Sequence, residues 1–119
     1  MDEHVRHTLD HGRTIDITTI GQKSGEPRRI EIRFHNIDGH IYITGTPGRR
    51  DWYANLRVHP NFTFHIKEGM PADLPARATL IEHTDAKRAI LTRICENVGR
   101  SADLEAWVAQ SPLVEVAFT

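Results

Sequence analysis

The chain has a single cysteine, Cys95, among 119 residues, so no internal disulfide can form. That cysteine lies in an apolar helical stretch and reads as a small core residue. No apolar run approaches the roughly 18 residues that a membrane-spanning helix needs. The opening Met1-Asp2-Glu3-His4 has neither the basic nor the apolar region of a secretory leader, and with so little cysteine the expected compartment is the cytoplasm. Neither charge sign is in excess: 15 Lys and Arg face 16 Asp and Glu, which argues against a whole-surface field for nucleic acid. There are two tryptophans, and Trp52 falls inside an expected helix, where it packs rather than stacks on bases. Internal repeats, linkers and low-complexity tracts are absent. What remains is one domain, large enough to bury about two-thirds of its unfolded surface without staples.

The basic residues are concentrated in two places, positions 23–33 and 49–50. The first holds the stretch Thr18-Thr19-Ile20-Gly21-Gln22-Lys23-Ser24-Gly25-Glu26-Pro27-Arg28-Arg29. Ile15 and Ile17 alternate with Asp16 and Thr18 before it. Ile30, Ile32 and Phe34 alternate with Arg29, Glu31, Arg33 and His35 after it. Alternation at period two marks half-buried strands. The middle is therefore a turn, with Gly21 and Gly25 free to take positive φ and Pro27 barring helix. It displays Lys23, Ser24, Arg28 and Arg29 beside backbone N–H groups, a set suited to a phosphate or a carboxylate.

The N-terminal segment, residues 1–12, reads as a short helix with His4, His7 and His11 on one face; they are taken as solvated imidazoles, and no metal site is assigned. Strands are expected at 13–21, 28–36 and 40–46, with Asp38-Gly39 as a hairpin signal. Asp51 is expected to cap a helix from Trp52 to Val58, which Pro60 ends. The loop before it, Gly45-Thr46-Pro47-Gly48-Arg49-Arg50, is a second place where amides could meet an anion. Strand four is expected at 62–67 and strand five at 76–82, with Leu74-Pro75 an irregular edge before it. Helical periodicity from Thr84 places Ala86, Ala89, Ile90, Ile94 and Val98 in one stripe, stopped at Gly99. Ser101 is expected to cap a further helix with Trp107 facing inward, and residues 113–118 form a last strand. Residues 13–119 thus form a single α+β domain: a split or closed β-barrel of about six mostly antiparallel strands with flanking helices.

Three motifs in register carry a resemblance. Thr18–Arg28 resembles the T-T-x-G-x-K-S-G-x-x-R signature of deazaflavin-dependent nitroreductases and F420H2-dependent quinone reductases, split barrels similar to pyridoxamine-phosphate-oxidase-like flavoproteins. Trp52-Tyr53-Ala54-Asn55-Leu56 with His59-Pro60 resembles their W-Y-x-N-L and N-P. Ala76-Arg77-Ala78 resembles their strand-five A-R-A. The resemblance implies that Lys23, Ser24 and Arg28, with Gly25, hold the phosphate and acidic tail of coenzyme F420. It implies that Gly45, Thr46 and Gly48, with Arg49 and Trp52, lie along the deazaflavin ring. The implied activity is hydride transfer from reduced F420 to a quinone, enone or nitro compound, a small-molecule electron acceptor, and a homodimer is within the range of related barrels.

The chain departs from that pattern at three points. The loop before Trp52 is short. Glu31 and Arg33 stand where a proline and an aromatic are common. No tyrosine occurs between Asn97 and Leu104. These departures keep two alternatives open: a barrel that binds F420 without catalysis, and one that binds FMN or haem, with His35, His40 and His65 as axial-ligand candidates. No proton donor is fixed by sequence; Tyr53 and His65 are the candidates.

Overall fold

The computed structural model describes residues 2–119. Six strands close into an antiparallel barrel: β1 (Thr14–Ile20), β2 (Pro27–Ile37), β3 (His40–Thr44), β4 (Asn61–Ile66), β5 (Ala72–Leu80) and β6 (Leu113–Phe118), in spatial order β1-β2-β3-β6-β5-β4. Closure leaves β1 paired to both β2 and β4, so no strand faces water along both edges. Four helices accompany the strands: α1 (Glu3–His11), α2 (Asp51–Val58), α3 (Thr84–Val98) and α4 (Leu104–Gln110).

The alternating pattern fills the barrel. Ile15, Ile17, Phe34, Ile43, Phe64 and Val114 point inward and are buried, with Phe34 and Phe118 packed edge-on against Phe64 at 5.7 and 5.1 Å between centroids. Each fully buried Ile or Leu contributes about 1.5–3 kcal/mol. Val5 and Leu9 of α1 join this core near the start of β1, and Trp52 and Leu56 of α2 join it toward the other end. A second cluster lies outside the barrel. There Leu91, Ile94 and Cys95 of α3 and Trp107 and Val108 of α4 cover the outward side chains Ile37, Tyr42 and Leu113.

The β2–β3 hairpin forms on Asp38-Gly39 as expected. Both residues have positive φ, 53° and 88°, the geometry of a type I′ turn, and Asn36 Oδ1 accepts the Gly39 N–H. At the first turn the two glycines differ from expectation. Gly25 takes φ 71°, but Gly21 does not have positive φ. Gly21 is needed for space, because a Cβ there would stand 2.4 Å from Ser24 Oγ.

Strand five starts at Ala72, four residues before the expected position, and runs through Pro75. The Pro75 carbonyl accepts the Thr119 N–H, so Pro75 faces the residue just past the end of β6 and its missing donor forfeits only the reciprocal bond of that terminal pair. Asp51 is the first residue of α2, and Arg50 stands at the cap position without a side-chain bond. Ser101 opens a single 3₁₀ turn, Ser101–Asp103, and α4 begins only at Leu104. On α3, Ala86 and Ala89 are exposed and the buried stripe is Leu91, Ile94 and Cys95, flanked by Ile90 and Val98. The expected stripe was rotated by about a quarter turn, because two alanines weigh as apolar in a pattern but bury too little to steer a helix.

Candidate functional site

The β1–β2 turn and the start of α2 face one another across a cleft of about 450 Å³. Lys23, Ser24 and Arg28 form its basic side, Ile30 and Trp52 its apolar floor, and Asp51 its single carboxylate. Arg28 and Ile30 share this side because alternate residues of β2 face the same way. Neither Lys23 nor Arg28 joins an ion pair among the described residues, whereas Arg29, Arg57, Arg88, Arg93 and Arg100 do.

The turn's amides are mostly spoken for. Gly21 N–H donates to Glu26 O at 2.8 Å and Gly25 N–H to Gly21 O at 2.9 Å. Glu26 N–H donates to Ser24 Oγ at 3.1 Å, which leaves the hydroxyl proton of Ser24 free to donate outward. Gln22 N–H donates to Asn55 Oδ1 at 2.9 Å. Only the amides of Lys23 and Ser24 make no such bond in this turn. Its capacity for an anion therefore lies in side chains more than in the bare backbone that the sequence suggested.

Asn55 fastens the turn to the helix. Its Nδ2 donates to Thr19 Oγ1 at 3.0 Å while its Oδ1 holds Gln22, and the side chain is buried. In the sequence Asn55 stands within the Trp52–Leu56 motif with no role of its own; the signal available there was an amide side chain inside an otherwise apolar stretch.

A larger cleft of about 1110 Å³ adjoins the first, with Gln22 and Asp51 common to both. Gly48, Arg49 and Tyr53 line it on one side, and α3 and α4 on the other. The loop before α2 is tied to itself by Arg50, whose guanidinium donates to Thr46 O and Thr46 Oγ1, each at 3.0 Å, and to Arg49 O at 3.0 Å. Gly48 N–H donates to Gln110 O at 3.1 Å, joining the loop to α4. Thr46 and Gly48 thus spend their polar groups inside the protein. Gly45, Thr46 and Gly25 line neither cleft, while Lys23, Ser24, Arg28, Gly48, Arg49 and Trp52 do.

The two proton-donor candidates separate. Tyr53 lines the larger cleft beneath the Arg57 guanidinium, 5.5 Å from its ring centroid, and burial with the nearby Glu82 charge raises its pKa. The phenol stays protonated at neutral pH. His65 lies on the outer barrel wall, away from both clefts. It is not the solvent-facing strand residue its position suggested: it is buried, with Nε2 2.7 Å from Thr18 Oγ1 and Nδ1 2.7 Å from Asp73 Oδ1. Both ring nitrogens are engaged. His35 and His40 line neither cleft, and His40 pairs with Glu115. None of the three histidines is placed to ligate a haem in these clefts. At the N-terminus, His7 and His11 stack at 4.3 Å on the exposed side of α1, opposite Val5 and Leu9.

His35 gives a pH expectation. Burial, with the Arg33 charge, lowers its pKa from 6.5 to about 4. Between those values the unfolded chain binds a proton that the folded one refuses. Stability from this group is therefore complete above pH 6.5 and drains away as pH falls toward 4. Allowing for its partial exposure, the loss is about 2 kcal/mol. Urea titrations at pH 7.5 and 4.5 should show this drop, and His35→Gln should flatten the slope across that window.

Residues 2–116 match the sequence profile of the F420H(2)-dependent quinone reductase family. The chain belongs to that family. Membership puts it among F420-dependent oxidoreductases in general, and its barrel is shared with pyridoxamine-phosphate-oxidase-like proteins. A conserved hypothetical protein from Mycobacterium tuberculosis superposes with TM-score 0.73 at 18% identity, covering 99% of this chain and 81% of the other. A FAD-binding protein from Mesorhizobium loti gives 0.73 at 13% identity, covering 100% and 91%. The heme storage protein HutZ from Vibrio cholerae gives 0.75 at 14%, covering 99% and 89%. At such identities these likenesses concern the barrel alone. No helix among the described residues is long and apolar enough to cross a membrane.

Proposed function

We propose that the chain is an F420H2-dependent oxidoreductase that holds the acidic tail of the cofactor in the smaller cleft and its ring, with the electron acceptor, in the larger one. The observation that carries this is that the two clefts share Gln22 and Asp51 in their linings, with Lys23 and Arg28 in one and the Tyr53 phenol in the other. The donor set suits the tail: Lys23 and Arg28 offer charge-assisted bonds, and Ser24 a free proton. Asp51 at the junction disfavours a tail carboxylate there and so biases the acid groups toward the turn.

Bound F420H2 supplies a hydride. The chain supplies position and a proton. Reduction of a quinone to the quinol consumes that hydride and one proton, and we assign its delivery to the Tyr53 phenol, which lines the larger cleft and is re-protonated from solvent afterwards. The acceptor class is a quinone, an enone or a nitro compound. FMN, whose phosphate is also an anion, is the competing cofactor.

Fluorescence titration with F420 and with FMN, followed by F420H2 oxidation with menadione, tests this. Tighter binding of F420 than FMN and turnover with menadione are expected. Tyr53→Phe should lower kcat by about tenfold with F420 affinity unchanged. Binding without turnover across quinones, enones and nitroarenes would make the chain a carrier instead, and failure to bind F420 would remove the proposal.

A further inference from the structure

The far wall of the larger cleft has a chemistry of its own. Thr84, Lys87 and Arg88 occur at helical spacing on the first turns of α3 and face the cleft together. Five cations line the cleft against three carboxylates, and two of those carboxylates are already bound: Glu82 takes Arg57 through two bonds of 3.0 and 3.1 Å, and Glu105 takes Arg88. Asp51 is the third and belongs to α2 rather than to the α3–α4 side. Lys87 has no carboxylate partner among the described residues.

Two further features meet beside it. The N-terminus of the 15-residue helix α3 has no side-chain cap, and its first residue, Thr84, lines the cleft, with Asp85 the one acidic residue of that turn. Ser111 lines the same cleft, is 3% exposed, and its Oγ is the one buried side-chain polar atom without a hydrogen-bond partner among the described residues. The fold brings these together. The β5–β6 ladder continues past Leu80–Val114 through Ile81 N–H to Leu113 O, so the residues that start α3 abut those that end α4. Val108 and Ala109 line the same cleft and give it an apolar patch.

We infer that Lys87, Ser111 and the open end of α3 form an anion subsite that takes a carboxylate carried by the electron acceptor, so that the acceptor class is an acidic quinone or enone. The assignment to the acceptor rests on the function proposed above; the subsite itself does not. Burial lowers the pKa of Lys87 against the opposing pull of Glu82, and an incoming carboxylate would raise it again.

Two arms test it. In the first, 2-naphthoate and 2-naphthamide are titrated into the protein and followed by NMR. The acid should bind at least tenfold tighter than the amide, Lys87→Met should abolish that preference, and Ser111→Ala should weaken the acid while raising the melting temperature. Equal affinities, or a preference that survives Lys87→Met, would overturn the subsite. In the second, F420H2 oxidation is measured with a naphthoquinone bearing a propionate chain and with its propionamide. A kcat/KM preference for the acid, lost through KM in Lys87→Met with F420 affinity unchanged, supports the acceptor assignment. Loss of F420 affinity in that variant would hand the anion to the cofactor and overturn the assignment. Failure of F420 to bind while the first arm holds would sink the cofactor reading and leave the subsite standing.

Discussion

Replacing Lys23 and Arg28 together by alanine is expected to weaken F420 binding by at least about 100-fold while leaving the fold intact. Hydrogen bonds to charged groups contribute about 1.5–3 kcal/mol each, so removing two costs about 3–6 kcal/mol of binding. Both side chains are exposed and neither joins an ion pair among the described residues, so the folded state loses little with them. Arg29, their neighbour, is the control. It donates to Asp16 at 2.9 Å on the outer wall, in company with Lys67 and Glu31, and lines neither cleft. Arg29→Ala removes the same charge from the same strand and should leave F420 affinity within about twofold, apart from a screened long-range contribution. Fluorescence titration at two salt concentrations reads both effects. A double variant that binds like the parent would take the cofactor's tail out of this turn altogether.

The contrast between Arg28 and Arg29 shows what a sequence can convey. Alternation in β1 and β2 fixed which residues point inward, and the hairpin signals fixed the pairing, because period-two patterns act over a few neighbouring residues. Placement of Lys23, Ser24 and Arg28 in one cleft was legible for the same reason. The polar groups at the turn were harder to read. Whether a loop amide is free depends on partners far along the chain: Gly48 is held by Gln110, and Gln22 by Asn55. The burial of His65 was hidden for a related cause. Alternation sends it outward correctly, but burial on the outer wall comes from Thr18 and Asp73 on the flanking strands, which a single strand's pattern does not contain. Leu74-Pro75 read as an irregular edge before strand five because a proline's cost is set by what the neighbouring strand does beside it. The larger cleft was not legible at all, being assembled from α2, α3, α4 and a loop whose relative placement is tertiary.

Asn55→Ala should be the most damaging single change near the site, costing about 3 kcal/mol of stability and about tenfold in F420 affinity. Two effects add. Gln22 N–H and Thr19 Oγ1 lose their partner in a buried setting, at about 1–3 kcal/mol for each group left unsatisfied. The vacated volume adds a smaller cavity cost. For a domain whose stability is about 5–15 kcal/mol, this is a large fraction, and it appears as a lower urea midpoint with unchanged slope. The loss of affinity has a separate origin: Gln22 adjoins Lys23, and its bond to Asn55 is what holds the cation-bearing turn against α2. Thr19→Val separates the two. It breaks only the bond from Nδ2, keeps Gln22 anchored on Oδ1, and should cost about 1 kcal/mol with F420 affinity unchanged. Should both variants lose stability while neither loses affinity, the position of the turn would be irrelevant to the cofactor, and the cations on it would be solvent-facing charges and nothing more.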